Sequence, residues 1–594
     1  MSARIQQASR ARATPVTAGR EARDLRRVAL VAAAAAVVTR VPFAARRLWD
    51  HDSVQFALGV EKYDLAAHHP HPPGYPLYIA ALKLLAMLGV DSLHGMVALS
   101  ILATALGAAL IVPLTARLAS AGAERGMQAA GHAGVGTDAG VAGPGSDAGR
   151  ASDAGDVSHG LGVRAVRAGA LAAALYVFNP LLWFYGELPL VYAVEGGMTV
   201  ALAYAALRMA DGRGPFVAAC AAFALAGGVR PSTLVLLLPL FLLGVWHAGR
   251  RGATAGTMAA GAALGAAVGL AWLVPLLMAA GGLAAYRRIG SEHFNALLPY
   301  TSILYGAGWK ALAHNLTIMT KWFLQGLVPA AVALGALWLP SPRRRAGAGL
   351  RLLAAAWPWL AAWAVPPVLF FALFHVTKAG YTLIYLPALL VSASLLGAPA
   401  MDGRRERRAA AAILLAAATG AGLFLFGADR RPDQPRALAV VRNELNRAAI
   451  ATYERDLDAL LAALRRLPPS TTVLATVELS GTGPAGPEGF LYPWQRHLQW
   501  YLPGYEVLHL VPEDGLVFVT RGHRPFHREG PRLELAAGTR QLAIVLSGPT
   551  GGRFPLSAWP LRRIGDTFYL VVVPVQDGLR LGPFTFAVPH RQAA

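Results

Sequence analysis

The densest group of side chains capable of chemistry lies in residues 49–78, which hold three aspartates, one glutamate and four histidines. Asp50 and Asp52 come directly after the first apolar segment. A carboxylate there can take the proton of a weakly nucleophilic hydroxyl group while a bond forms at the hydroxyl oxygen. An inverting sugar transfer needs only this one base if the leaving group is a phosphate, which departs without a general acid. In the plainer alternative, both aspartates solvate a helix end or favour the first turn of the next helix.

The run of histidines and prolines that follows allows two interpretations. His68, His69 and His71 beside Asp64 could ligate a metal, since imidazole and carboxylate groups are suitable ligands. Three histidines within four residues cannot easily face one ion, so we expect no metal site, although a divalent ion is the open alternative. The prolines of residues 70–76 instead predict a rigid turn that starts a juxtamembrane helix. The histidines would then donate hydrogen bonds to phosphate or sugar.

The composition shows what kind of scaffold holds this stretch. Of the 594 residues, 55% are hydrophobic and only 15% are charged, and the mean hydropathy is +0.44. Most of the chain therefore belongs in a bilayer. The net charge of +21 does not indicate nucleic-acid binding, because the arginines occur in short runs between apolar segments, as in cytoplasmic loops. Cys220 is the single cysteine, so neither an intramolecular disulfide nor a cysteine-based zinc site can form.

Hydropathy predicts a multi-pass protein of about eleven spans, within a transmembrane domain of residues 28–427. We place them at 28–48, 93–118, 164–184, 190–208, 214–229, 231–247, 254–279, 315–339, 351–375, 380–398 and 409–427. Residues 1–27 are read as a basic cytoplasmic tail and residues 49–92 as the first outer loop, which includes the juxtamembrane helix. The loops that this arrangement places inside are rich in arginine, which supports a cytoplasmic N-terminus. The two short spans at 214–229 and 231–247 could instead form a re-entrant hairpin.

Two segments have a different character. Residues 120–163 are rich in Gly, Ala, Ser and Asp, which predicts a disordered cytoplasmic loop. Residues 428–594 combine a helical pattern at 435–467 with short β-rich runs, which predicts a soluble α+β or mostly β domain. An odd number of spans places this domain outside the cytoplasm. Its aromatic run at 492–507, which contains Arg496 and His497, could stack on sugars but is more typical of a small domain core.

The first loop resembles the GT-C superfamily of polytopic glycosyltransferases. Within it, the loop is most similar to the protein O-mannosyltransferase-like branch, which includes the aminoarabinose transferases, and to a related group of membrane proteins that contains a transmembrane O-mannosyltransferase. The resemblance covers roughly residues 28–400 and implies a GT-C-like fold with a polyprenyl-phosphate-linked sugar as donor. It also implies a first-loop acidic residue as catalytic base, Asp52 first and Asp50 second, although Asp-His-Asp replaces the usual Asp-Glu pair. The matching residues are Asp52, Ser53, Phe56 and Ala57, and the run from His71 to Pro76.

Several further residues are candidates for substrate binding. Glu187 and Glu195 border or enter predicted spans, where an ionisable group usually faces a partner or a wet cavity. The resemblance extends to the stretch that carries Glu187. A lipid phosphate near hydrocarbon needs a cation on the same side as the base, and Arg230 and Lys378 are our choices among the outer cations. A solvated or snorkelling cation is the alternative for each. The list of predicted substrate-binding residues is His71, Tyr75, Glu187, Arg230 and Lys378.

Together these features predict an integral membrane glycosyltransferase of a bacterial-type inner or plasma membrane. Its partners would be membrane lipid, a lipid-linked sugar donor and an acceptor that is a protein, a lipid or a glycan. A transporter or flippase for a lipid-linked saccharide is the main alternative, and the lack of an evident internal repeat counts against it. A noncatalytic membrane scaffold whose outer domain binds a partner is the other.

Overall fold

The computed structural model describes residues 15–133, 147–339, 342–376, 378–401, 406–427, 445–478, 494–546 and 554–588. The described part before residue 428 is helical, and all the described strands follow residue 471. A mostly helical part with long apolar helices and a β-rich C-terminal part confirm the predicted fold class at this level.

The helical part consists of helices of very different lengths. They are α1 Pro15–Arg40, α2 His51–Glu61, α3 Pro76–Met87, α4 Ser92–Ala133, α5 Asp147–Val177, α6 Pro180–Glu187, α7 Tyr192–Arg208, α8 Arg213–Val229, α9 Pro231–Leu236, α10 Leu238–Arg250, α11 Ala255–Ala279, α12 Leu283–Thr301, α13 Gly308–Trp338, α14 Pro342–Leu373, α15 Leu386–Gly397 and α16 Glu406–Leu425. Short 3-10 turns connect some of them, including Val41–Phe43 and Ala379–Ile384.

Among the described residues, five helices are long and apolar enough to cross a membrane, or six if one bent pair counts as a span. The multi-pass membrane character is therefore confirmed, while the count of eleven spans and the cytoplasmic N-terminus stay predictions. The pair predicted at 214–229 and 231–247 is present as the short helices α8, α9 and α10. The five helical segments are Ser92–Gly122, Ala255–Ala279, Gly308–Trp338, Ala346–Leu373 and Glu406–Leu425, and the bent pair joins Gly162–Val177 to Pro180–Glu187 at 55°.

The first helix differs from the span predicted at 28–48. Helix α1 begins at Pro15, inside the segment predicted as a tail, because Arg, Ala and Glu are good helix formers whether or not lipid surrounds them. It ends at Arg40, whose buried guanidinium donates to the Val177 carbonyl. Pro42 then starts a 3-10 turn, so residues 44–48 reach the first loop without helical structure. Residues 1–14 lie outside the described part.

The segment 120–163, predicted as a disordered loop, carries helical structure at both of its ends. Helix α4 continues to Ala133 and helix α5 begins at Asp147, and residues 134–146 lie outside the described part. Ala has the highest helix propensity, and a helix satisfies its backbone hydrogen bonds locally. A composition that cannot build a packed core can therefore still extend two helices beyond the bundle.

Small residues allow the apolar helices to approach each other closely. A Cβ added to Gly261 of α11 would lie 2.6 Å from Phe216 Cε1 of α8, and one added to Gly197 of α7 would lie 2.1 Å from the Ala103 carbonyl oxygen of α4. Both distances are shorter than van der Waals contact, so only glycine fits. This packing agrees with the expectation that Gly- and Ala-rich helices pack at close range in the bilayer.

The C-terminal part is built on a mixed seven-stranded sheet. Its strand order is β4-β3-β2-β1-β6-β8-β7, with β2, β1 and β6 parallel and the outer strands antiparallel. A second sheet has the order β5-β10-β9. The strands are β1 Thr472–Val477, β2 Glu506–Val511, β3 Leu516–Arg521, β4 His527–Glu529, β5 Arg532–Glu534, β6 Gln541–Leu546, β7 Arg562–Ile564, β8 Phe568–Pro574, β9 Leu579–Leu581 and β10 Phe584–Ala587.

Two helices complete this part, α17 Arg447–Leu464 and α18 Gln495–Tyr501. Leu460 of α17 and Leu498 of α18 share one apolar cluster with strand residues such as Val507, so both helices pack on one face of the large sheet. All six predicted β-rich runs contain a strand, and the predicted helix is present as α17, while residues 428–444 lie outside the described part. The α+β domain is thus confirmed in its elements, and its place outside the cytoplasm stays a prediction.

Candidate active site

The first loop places its two aspartates at the start of a helix. Asp50 is the N-cap of α2, because its backbone is extended and its Oδ1 accepts hydrogen bonds from Asp52 N at 2.9 Å and Ser53 N at 3.4 Å. Aspartate is among the best N-cap residues, since its side chain satisfies amides that lack a partner in the first turn. The alternative role of capping a helix is therefore filled by Asp50, and Asp52 lies in the first helical turn.

Both carboxylates meet the same lysine. Lys378 Nζ donates to Asp50 Oδ2 at 2.6 Å and to Asp52 Oδ2 at 2.5 Å. The lysine directly precedes the 3-10 turn Ala379–Ile384, more than 320 residues further along the chain. The side chains are about nine-tenths buried, with exposures of 9% for the lysine and 11% for each aspartate. The structure thus joins three residues that the sequence assigned to one site, and it pairs them directly.

Asp52 has further polar neighbours on its other side. His51 Nε2 lies 3.0 Å and His71 Nδ1 3.9 Å from Asp52 Oδ1, and the Tyr192 hydroxyl donates to Asp52 Oδ2 at 3.4 Å. Burial by itself would raise the pKa of Asp52, but the charge of Lys378, with smaller contributions from His51 and His71, holds it well below its usual range. Asp52 is therefore ionised at neutral pH.

The turn between α2 and α3 places His71 against Asp52. Tyr75 is the left-handed N-cap residue of α3, with φ of +49°, and its hydroxyl lies 2.9 Å from His71 Nε2. Its ring packs edge-on against Phe56 at 5.0 Å between centroids. Burial lowers the pKa of His71 well below its usual value, so the imidazole is neutral. The predicted helix start at Pro76 is confirmed, and the turn before it holds a neutral histidine beside the carboxylate.

Arg230 lies close to the same cluster but has a carboxylate of its own. Its guanidinium donates to Glu195 Oε2 at 2.5 Å, and the Thr233 hydroxyl donates to the other oxygen of Glu195. The guanidinium carbon lies 5.7 Å from the ring centroid of Tyr192 and 5.1 Å from that of Tyr381. Since the Tyr192 hydroxyl also donates to Asp52, the side chain of Tyr192 contacts both the Arg230–Glu195 ion pair and the Lys378–Asp52 ion pair. Among the described residues, Arg230 Nε has no hydrogen-bond partner.

Glu187 is not brought into contact with this cluster. Its Oε1 accepts a hydrogen bond from Trp183 Nε1 at 2.5 Å, and its backbone carbonyl accepts from Ala45 N at 3.0 Å. Arg40 stacks over the same Trp183 ring at 5.0 Å from its centroid. Glu187 is completely buried, at 0% exposure. These contacts favour a role in holding α6 against the end of α1, and its predicted part in substrate binding stays a prediction.

The contacts of the first loop bear on the metal alternative. Asp64 accepts a hydrogen bond from Ala67 N with its side chain and pairs with His69 through its backbone, so it serves the turn itself. Ligand atoms of Asp50, His51 and Asp52 do lie within 4.8 Å of one another. The ammonium of Lys378 contacts both of these carboxylates, and it would repel a divalent cation there. This donor set fits a lysine better than a metal ion.

Helix α12 adds a further histidine close to this cluster. His293 of α12 lies with its ring 5.4 Å from that of His68 and 6.1 Å from that of His71. A groove of about 370 Å³ opens beside it, within the size range of ligand pockets. Ten residues line this groove: Pro72, Pro73, Tyr286, Arg287, Gly290, Ser291, Phe294, Asn295, Leu298 and Tyr305.

The aromatic run of the C-terminal domain also reaches the first loop. Arg496 of α18 donates to the Ala67 carbonyl at 3.1 Å and lies 3.3 Å from His69 Nε2. Its third contact is with Gln499, and burial lowers its pKa to about 10, so the guanidinium remains charged. The expectation that this run forms only the domain core is therefore incomplete, because its polar residues contact the loop that carries the site.

Comparison with known proteins places part of the chain in a family. Residues 62–251 match the model of the protein O-mannosyl-transferase TMEM260 N-terminal domain. The match covers about a third of the chain. It confirms the predicted resemblance to protein O-mannosyltransferases for this segment and supports a glycosyltransferase at the general level. The matched segment contains His71, Tyr75, Glu187 and Arg230, whereas Asp50, Asp52 and Lys378 lie outside it.

Two solved structures are similar to the whole chain. One is ArnT from Cupriavidus metallidurans bound to undecaprenyl phosphate, with 14% identity, a TM-score of 0.47 and coverage of 91% of this chain and 96% of that one. The other is the same protein in the apo state, with 13% identity, a TM-score of 0.43 and coverage of 90% and 96%. No curated protein matches the sequence significantly.

Proposed function

We propose that this protein transfers a sugar from a polyprenyl-phosphate-linked donor to a hydroxyl group of an acceptor on the outer face of the membrane, with Asp52 as general base. The observation that carries the proposal is the buried, ionised Asp52 at the start of α2, paired with Lys378 and faced by a neutral His71. The family match of residues 62–251 supports the reaction class. The acceptor is a protein, a lipid or a glycan.

Asp52 suits the role of base better than Asp50 does. Asp50 Oδ1 accepts hydrogen bonds from the backbone amides at the start of α2, and Asp50 Oδ2 accepts one from Lys378. Both oxygens of Asp50 therefore make structural hydrogen bonds. Among the described residues, the polar neighbours given for Asp52 Oδ1 are the imidazoles of His51 and His71, at 3.0 Å and 3.9 Å. This oxygen is the one to which an acceptor hydroxyl would donate.

The proposed reaction is an inverting displacement at the anomeric carbon. The acceptor oxygen attacks that carbon from the side opposite the phosphate, and the bond between the carbon and the phosphate oxygen breaks. The bonding electron pair leaves with the polyprenyl phosphate, and the hydroxyl proton passes to Asp52. A carboxylate with a low pKa is a weak base. It can accept this proton because the hydroxyl becomes acidic as the oxygen bonds to an electron-poor carbon.

Arg230 and Lys378 are the proposed partners of the donor phosphate. Phosphate oxygens bind best to charged donors with fixed geometry, and a guanidinium provides several N–H groups in one plane. Arg230 uses one terminal nitrogen for Glu195 and leaves its Nε–H without a partner among the described residues. Lys378 would have to share its ammonium between the phosphate and the two aspartates, which would loosen its hold on Asp52.

The groove beside His293 offers space for part of a substrate. It begins at Pro72, the residue after His71, and one side is formed by Arg287, Ser291 and Asn295 at successive turns of α12. An arginine and two neutral hydrogen-bonding groups suit a hydroxylated or anionic ligand. We assign no metal to the reaction. The membrane topology proposed with this function has the N-terminus inside and residues 428–594 outside.

The experiment that tests the proposal is transfer by purified protein in lipid nanodiscs, with a panel of polyprenyl-phosphate sugars as donors and peptide, lipid and glycan acceptors. Asp52→Asn should lower transfer by at least about a hundredfold, in line with the loss of a general base. Asp50→Asn should lower it less. Asp514→Asn, at an exposed turn of the C-terminal domain, is the matched control and should leave the rate unchanged.

The same preparation separates the proposal from its alternatives. A flippase would move a fluorescent lipid-linked sugar between leaflets without forming a product, and a scaffold would do neither. If wild-type protein forms a product at a rate that Asp52→Asn does not reduce, Asp52 is not the base. If wild-type protein moves the donor across the bilayer and never forms a product, the transferase itself is excluded.

A further inference from the structure

The four residues before Asp50 receive their polar contacts from the C-terminal domain, while Leu48 and Trp49 also pack against apolar residues of the helical part. Arg46 N donates to the Glu454 carboxylate, and Arg47 forms an ion pair with Asp458 at 2.7 Å. Both acidic residues belong to α17. Helix α17 therefore fixes the segment of the chain that leads to the active-site aspartates.

The last two of these residues are held by two polar side chains, the half-buried Tyr453 and the buried His497. The Tyr453 hydroxyl of α17 lies 2.6 Å from the Trp49 carbonyl and 3.0 Å from the Leu48 carbonyl. His497 Nε2 of α18 lies 2.8 Å from the same hydroxyl. The Tyr453 and Trp49 rings also pack against each other at 4.3 Å between centroids.

These distances define one direction for the hydrogen bonds. A tyrosine hydroxyl has one proton, and the shortest contact is to the Trp49 carbonyl, so Tyr453 donates there. His497 Nε2–H then donates to the Tyr453 oxygen. His497 Nδ1 is buried without a hydrogen-bond partner among the described residues, which fits a neutral ring protonated only at Nε2. Burial also lowers the pKa of His497 to about 3.

The carbonyl that Tyr453 holds is next in the chain to the residue that caps α2. Asp50 has an extended backbone and bonds the first amides of the helix, so a shift at Trp49 moves Asp50 and the helix start together. Lys378 belongs instead to the segment before the 3-10 turn Ala379–Ile384, and its carbonyl accepts a hydrogen bond from the Tyr381 amide. The distances from Lys378 to both carboxylates therefore depend on where the C-terminal domain holds residues 48–49.

We propose that Tyr453 and His497 are positioning residues that set the place of Asp50, and through it Asp52, against Lys378. The C-terminal domain would thus complete the active site from outside the membrane part, in addition to any role in binding a partner. The catalytic side of this claim rests on the proposed function. Its geometric side does not, because the ion pair exists with or without catalysis.

The geometric side is tested by amine labelling of full-length protein with an N-hydroxysuccinimide ester, followed by mass spectrometry. Lys378 is protected by its two carboxylates, and exposed Lys62 gives the reference rate. Tyr453→Phe removes only the hydroxyl, and we expect Lys378 to react about fivefold faster, as the loss of one buried hydrogen bond allows. Tyr505→Phe is the matched control, since its buried hydroxyl bonds the Leu464 and Leu467 carbonyls within the C-terminal domain.

The catalytic side is tested by steady-state transfer with the same variants. Tyr453→Phe should lower kcat about tenfold, because a small displacement of a catalytic group is costly, with a change in donor KM of less than about twofold. His497→Leu should act in the same way, whereas His497→Gln retains a donor at the position of Nε2 and should restore most of kcat. Tyr505→Phe should leave both constants unchanged even if it lowers the unfolding temperature.

The labelling rate and the transfer rate are independent of each other. If Lys378 reacts at the wild-type rate in Tyr453→Phe, or equally fast in Tyr505→Phe, then the positioning role is refuted whatever the enzyme does. If wild-type protein transfers no sugar at all, then the proposed function fails, and the labelling result still decides whether the C-terminal domain sets the ion pair.

Discussion

Replacing Lys378 by methionine provides the sharpest test of the active-site electrostatics. The ammonium lies 2.6 Å from Asp50 Oδ2 and 2.5 Å from Asp52 Oδ2, and methionine, which is one atom shorter, keeps most of the side chain without its charge. A cation at such a distance lowers the pKa of an aspartate by about 1–3 units, which corresponds to about 1.4–4 kcal/mol. Removing one partner of a buried ion pair costs about 3–5 kcal/mol, so both approaches agree on the upper part of this range.

The sign of the pH effect follows from the direction of the pKa shift. The pKa of Asp52 in the folded protein lies below its value of about 3.9 in an unfolded chain. The ion pair therefore stabilises the fold above about pH 4, and this contribution is lost as the pH falls through the folded-state pKa. In Lys378→Met, we expect the acid limb of kcat/KM to move up by about 1–3 pH units, because Asp52 then takes up its proton more readily.

The assay is sugar transfer in nanodiscs between pH 3 and pH 8, with thermal unfolding measured in the same buffers. The wild-type rate should stay level down to about pH 4, and the rate of Lys378→Met should begin to fall at a higher pH. Lys378→Arg is the control, since it keeps the charge and should keep the acid limb where wild-type protein has it. An unmoved acid limb in Lys378→Met, together with a wild-type unfolding temperature, would show that Lys378 does not hold Asp52 in its ionised state. The proposed base would then have lost its main physical support.

Three further predictions concern the surroundings of the site. Gly74→Ala should lower stability and transfer more than Gly89→Ala. Both glycines have a positive φ, which costs an alanine about 1–2 kcal/mol at either position. Only at Gly74 would the new Cβ also clash with another atom, a tyrosine hydroxyl at 2.7 Å. Arg230→Met should lower the free energy of unfolding by about 3–5 kcal/mol by leaving Glu195 buried without its cation, and adding Glu195→Gln should recover part of the loss. Burial lowers the pKa of His69 to about 3, so wild-type protein should lose stability as the pH falls below about 6.5, and His69→Gln should reduce that loss by up to about 1.4 kcal/mol per pH unit in thermal unfolding at pH 7 and pH 5.

Local signals in the sequence predicted much of this molecule. The proline-rich turn correctly placed the start of α3 at Pro76, because proline has a fixed φ and suits the first helical position. A short run of apolar residues correctly located strands such as Gln541–Leu546, a central strand whose residues are buried on both faces of the sheet. These features depend on residues within a few positions of one another, which is the range over which backbone geometry is decided by sequence.

Contacts between side chains that lie far apart in the sequence were harder to predict. The sequence assigned Lys378 to phosphate and Asp52 to proton transfer, but no pattern could show that their side chains touch, since more than 320 residues separate them. Arg230 was likewise chosen as a cation facing the donor, and the structure gives it Glu195 as a direct partner. A charged residue predicts that a counter-charge exists in a buried site, because an unpaired ion there is costly. The charged residue alone does not predict which side chain supplies that counter-charge.

The interface between the C-terminal domain and the first loop was missed for a different reason. Tyr453, His497 and Arg496 lie in helices whose apolar faces pack on the sheet, so their pattern is that of ordinary amphipathic helices. The informative property is that His497 and Arg496 are buried and Tyr453 is half-buried, and polar groups in such places need hydrogen-bond partners, here on another element. Since the elements they reach are residues 48–49 and the turn that holds His69, the energy that docks the domain also fixes the loop that carries the aspartates. Separating the domain from the membrane part would therefore change the active site itself, and transfer should be lost even if both parts stay folded.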